Sequence, residues 1–136
     1  MSEAVCTIDL RIVAPDPEDH HRRHHPTEVR PLVDGRDVLD EIFPEGFTGR
    51  PEEWLVADSP LEAAEVPHQI LMAEAECGSG CCGFISVTIQ RRGAHVIWSD
   101  WENTTGDCEN IPEFRFDAGQ YDAELARATT NRSTMA

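Results

Sequence analysis

The chain has 136 residues, enough for one domain with its own core, and 40% of them are apolar. Its 26 acidic residues against 11 basic ones leave a net charge of −15, a field that repels phosphate backbones and anionic lipid and draws in basic surfaces, so neither nucleic acid nor membrane is expected as a partner. No apolar run approaches the roughly 18 residues of a membrane span, and Met1-Ser2-Glu3-Ala4 lacks the basic-then-apolar start of a signal peptide, so a soluble, cytoplasmic protein is expected.

Residues 5 to 13 alternate, with Cys6, Ile8, Leu10 and Ile12 on one face, and read as a half-buried strand in which the Cys6 thiol fills space as a small hydrophobe. From 14 to 31 the alternation gives way to Pro15, Pro17, Pro26, Pro31 and the tract His20-His21-Arg22-Arg23-His24-His25, which reads as a loose solvated loop rather than a metal site. A short helix follows, capped by Asp34 with Asp37 at its third position, stapled by Val33 and Val38, and stopped by Pro44. Pro51 opens a second, with Glu52 and Glu53 in the first turn and Trp54 and Leu55 as anchors, and Ser59-Pro60-Leu61-Glu62 reads as the start of a third.

Residues 69 to 77 read as a strand with Leu71, Ala73, Ala75 and Cys77 on one face. Ile85, Val87 and Ile89 mark its antiparallel partner, and the tip between them is Gly78-Ser79-Gly80. Arg91-Arg92-Gly93 turns into a third strand from His95 to Trp98, completing a three-stranded meander. An acidic loop with Asp100, Glu102, Asp107 and Glu109 follows; it lacks the ligand spacing of an EF-hand. The last helix is capped by Asp117 with Gln120 at its third position, stapled by Phe116 and Tyr121, and buries Tyr121, Leu125 and Ala128, while residues 129 to 136 read as a frayed tail.

Three of the five cysteines fall in Cys77-Gly78-Ser79-Gly80-Cys81-Cys82-Gly83. Cys77, Cys81, Cys82 and Cys108 could supply the four thiolates of a zinc site, although the C-x-x-x-C spacing is not the pair of C-x-x-C hooks usual in such sites. A reversible Cys77–Cys81 disulfide and the plain packing of small thiols at a hairpin end are the alternatives. Cys82, His95 and Asp100 could be drawn as a nucleophile set, but no motif joins them, and the familiar hydrolase, metalloprotease and nucleotide-binding signatures are absent. No enzyme is expected, and no cofactor beyond the candidate zinc.

The pattern Glu76-Cys77-Gly78-x-x-Cys81-Cys82-Gly83, then Val96-Ile97-Trp98-Ser99-Asp100, then Phe114-x-Phe116-Asp117-x-x-x-Tyr121-x-x-Glu124-Leu125 resembles small proteins of high-GC actinobacteria. The resemblance covers residues 70 to 127 and implies a bacterial cytoplasmic setting without an assigned activity.

These readings give a single α+β domain over residues 1 to 136: an antiparallel sheet from the first strand and the meander, packed by the short helices and the C-terminal helix. The functional expectation is a non-enzymatic acidic interaction protein, an adaptor or immunity-type protein, that meets a basic protein partner through Trp101, Asp100, Glu102, Glu52 and Glu53. The alternative is a small zinc-binding or thiol-redox protein centred on the four cysteines. The sequence does not fix the oligomeric state.

Overall fold

The structure, a computed structural model, describes residues 5–14, 18, 27–42, 47–74, 83–103 and 111–134. The α+β class holds. Strand β1 (Ile8–Val13) pairs antiparallel with β2 (Glu28–Val33), and β3 (His68–Glu74), β4 (Phe84–Arg92), β5 (His95–Asn103) and β6 (Phe114–Asp117) form an antiparallel meander in that order. Helices α1 (Val38–Ile42) and α2 (Pro51–Trp54) are short, and α3 (Ala118–Thr134) packs on β1, β5 and β6.

The first strand therefore belongs to a sheet of its own, and two single bridges tie the sheets together. Cys6 pairs parallel with Phe116, its N–H donating to the Arg115 carbonyl at 2.7 Å. On the far side Phe47 pairs antiparallel with Glu74, and the Val29 N–H reaches the Gly49 carbonyl at 2.8 Å. A backbone circuit thus runs β1, β2, residues 47–49, β3, β4, β5, β6 and back to the start of β1. Inside it, Ile85, Val87, Ile89, Trp98, Phe116 and Leu39 are buried together. The Trp98 indole N–H donates to the Tyr121 hydroxyl at 3.2 Å, and that hydroxyl donates to the Leu61 carbonyl, which fastens segment 59–61 under α3.

β2 corrects the expectation of a loose segment over 14–31: its last residues are fully buried strand. Pro31 misleads because proline removes a ladder donor. Here the N–H groups on that edge of β2 leave the β1 pairing, Val29 toward Gly49 and Val33 toward the Arg36 carbonyl at 2.8 Å, so at Pro31, between them, none is needed. The His-rich tract lies outside the described residues.

The helix punctuation is corrected at three places. Asp37, not Asp34, caps α1, accepting the Asp40 N–H at 3.0 Å, while Asp34 sits in a tight turn at φ +52° and accepts the Thr7 N–H at 2.8 Å. The expected third helix is one turn, in which the Ser59 hydroxyl accepts the Leu61 N–H at 3.0 Å. The C-terminal helix continues to Thr134 through the expected frayed tail. Its cap and staple stand: Asp117 accepts the Gln120 N–H at 2.9 Å and the Phe116 and Tyr121 rings lie 5.6 Å apart. The meander gains a fourth strand, β6, between the expected acidic loop and the last helix, and β5 runs past Trp98 to Asn103, through the expected start of that loop.

α3 also finishes the edge of β1 with side chains. Gln120 accepts from the Ile8 N–H at 3.1 Å and donates to the Ile8 carbonyl at 2.7 Å. One turn on, Glu124 accepts the Leu10 N–H at 2.7 Å, and Arg127 donates to the Leu10 carbonyl at 3.2 Å and to Glu124 at 2.6 Å. Polar side chains four residues apart on one helix face thus stand in for a neighbouring strand. Burial opposes the Glu124 charge, yet hydrogen bonds from Arg127 and the Leu10 amide hold its pKa below the ordinary carboxylate value.

With the folded value depressed, that stabilisation is present above the unfolded-state pKa, about 4.3, and is lost as pH falls through the folded value. Glu124→Gln is expected to lose about 1–3 kcal/mol in urea unfolding at neutral pH, and to lose less than the parent on acidification; parallel acid profiles would refute this role.

Candidate functional site

The site forms around β3. Ile70 and Met72 face the core, and a register shift between Leu71 and Ala73 makes Met72 an extra residue, a β-bulge that also turns Ala73 inward. This overturns the expected face of Leu71 with Ala73. Leu71 is instead left on the outer face at 45% exposure, whereas the other strongly exposed large apolar residues among the described residues, Val5 and Val66, lie outside the strands. Strand order makes β3 an edge, and among the described residues only Glu74 has a backbone partner on its open side, through Phe47 at 3.0 and 3.1 Å.

Beyond that bridge the chain diverges from β3 and leaves a groove of about 390 Å³, walled by Leu71–Glu74 on one side and by Phe47–Arg50, Glu53 and Trp54 on the other. The far wall is anchored from below. Thr48 donates its N–H at 2.8 Å and its hydroxyl at 3.2 Å to Glu28, itself 1% exposed. Glu28 accepts from Arg30 at 3.0 Å, and Arg30 also makes a two-pronged contact with Asp37 at 2.8 and 2.9 Å. Burial works against the Arg30 charge, but the two carboxylates hold its pKa above the ordinary guanidinium value. Gly49 completes the wall: the Trp54 indole lies against its backbone where a side chain would stand.

The expected partner residues fall on both sides of this strand. Glu52 and Glu53 are exposed in the first turn of α2, and Glu53 faces the groove. Glu102 is exposed on the outer face and accepts from the Gln69 amide at 2.8 Å, while the same amide reaches the Ser86 hydroxyl at 3.1 Å. The sequence signal for the two flanks was acidity alone; Gln69, Leu71 and the bulge between the flanks were missed, because period-two reading assumes an unbroken register.

Asp100 and Trp101 sit at a second bulge, marked by the shift between Ser86 and Thr88 and by φ +52° at Asp100. The extra residue puts Asp100 in solvent and returns Trp101 toward the core. There its ring meets Trp98 at 6.3 Å and Phe114 at 6.0 Å edge-on, and its N–H donates to the Pro112 carbonyl at 3.1 Å. Trp101 is a half-buried packing residue rather than a free aromatic anchor.

Cys77, Cys81, Cys82 and Cys108 lie outside the described residues, and among the described residues no group of three or more His, Cys, Asp or Glu side chains is placed to hold a metal. The strand ends flanking those cysteines are neighbours, however: Glu74 pairs with Phe84, and Ile85 with Asn103. Cys6 lies beside Phe116, where burial and the Asp34 carboxylate push its thiol pKa up and keep it protonated. No helix among the described residues is long and apolar enough to cross a membrane. No family model, curated protein or solved structure matches the chain.

Proposed function

We propose that the protein is a non-enzymatic, acidic interaction protein, of the adaptor or immunity type, that binds a basic protein partner in the cytoplasm. The observation that carries this reading is the exposed Leu71 on an edge strand, with Glu53 on its groove side and Glu102 on its outer side. An apolar contact ringed by like charges can exclude water at its centre while the surrounding field speeds encounter with an oppositely charged surface. Retention of basic proteins on the immobilised chain at low salt is expected to fall steeply as ionic strength rises past the point where the Debye length is about 10 Å. Capture that ignores both salt and the charge of the captured protein would sink the reading.

A second reading, a zinc or thiol protein built on Cys77, Cys81, Cys82 and Cys108, is favoured by the neighbouring strand ends from which the cysteine-bearing segments depart. Elemental analysis of protein purified without a histidine tag, with a thiol titration before and after denaturation, decides it. One equivalent of zinc supports the reading; no zinc and five titratable thiols eliminate it.

A further inference from the structure

We infer that the partner binds by strand addition: an extended basic segment lies in the groove and continues the meander along the open edge of β3. This rests on the acidic-partner reading and specifies its geometry. An edge strand offers a row of N–H and C=O groups that a new strand can pair with, and β3 carries no blunting lysine or proline. The Phe47–Glu74 bridge shows that this edge already accepts an antiparallel partner at one end. From Gln69 to Ala73 the open side has no backbone partner among the described residues, and the groove provides room beside Leu71, Met72 and Ala73.

Charge selects the occupant. Glu53 and Glu74 line the groove, with Arg50 the one cation among its described lining residues, and Glu102 stands on the outer face. Alternate side chains of an added strand project to opposite faces, so a segment with basic residues on both sides of a small apolar one would meet carboxylates and Leu71 together. A second copy of this chain would bring its own −15 to the same edge, which disfavours self-pairing.

The test uses the isotope-labelled full chain and a basic peptide of alternating lysine and valine, with a second peptide of the same sequence and charge N-methylated at its central residues. The expected result is amide shifts concentrated at Gln69–Ala73 with the first peptide, and at least tenfold weaker binding of the second, because methylation removes backbone donors without touching charge. Equal affinities, or shifts centred on another surface, overturn strand addition and leave the acidic-partner reading standing. No binding of either peptide at low salt overturns both. A peptide-free dimer joined through β3 overturns the choice of occupant.

Discussion

Arg30→Met is expected to lower stability by about 3–5 kcal/mol in urea unfolding, because it breaks a buried ion pair by removing its cation. Arg30 and Glu28 are 2% and 1% exposed, and the guanidinium satisfies Glu28 and Asp37 together. Removing it takes the cation away from both carboxylates at once. Glu28→Met added to Arg30→Met removes the buried carboxylate along with its cation, so the double variant is expected to recover part of the loss, the rest being the Thr48 N–H left without its acceptor. A double variant as unstable as the single one would show that the network acts through something other than charge pairing. The groove wall should respond as well, since Thr48 hangs on Glu28.

Gly49→Ala carries the next largest effect. A Cβ there would overlap three atoms of the Trp54 indole, far inside contact distance. The indole is buried and cannot yield without leaving the core, so the expected cost approaches that of losing a large aromatic, about 3–5 kcal/mol. Denaturant unfolding followed by tryptophan fluorescence reads the loss. A change below about 1 kcal/mol, within what good repacking can absorb, would mean that the groove wall is softer than its geometry implies.

The core was legible in sequence wherever periodicity was unbroken: Ile85, Val87 and Ile89 of β4, Trp98 of β5, and Tyr121, Leu125 and Ala128 of α3 all face inward as their spacing requires. What escaped were places where one residue resets the phase or a rule is excused by its surroundings. Pro31 concealed β2 because its missing N–H falls on the side of the strand that does not pair with β1. The buried Glu28 and Arg30 looked like solvent residues because their partners, Thr48 and Asp37, are distant or across a turn. The bulges at Met72 and Asp100 turned Ala73 inward next to Met72, leaving Leu71 on the opposite face from it, and returned Trp101 toward the core, neither of which unbroken alternation can anticipate. The acidic flanks of the candidate site were visible as charge; the apolar residue they surround was not.

The central claim is that a basic partner reads β3 and its flanks rather than the net charge of the whole surface. Affinity for the basic peptide should therefore be measured on two double variants of equal charge change, Glu53→Lys with Glu102→Lys beside β3, and Glu62→Lys with Glu65→Lys, which are exposed on the segment leading into it. At moderate salt the first pair is expected to weaken binding at least tenfold and the second less than threefold, since neither Glu62 nor Glu65 lines the groove and screening weakens exposed charges out of contact with the ligand. Equal losses from the two pairs would contradict a site at β3.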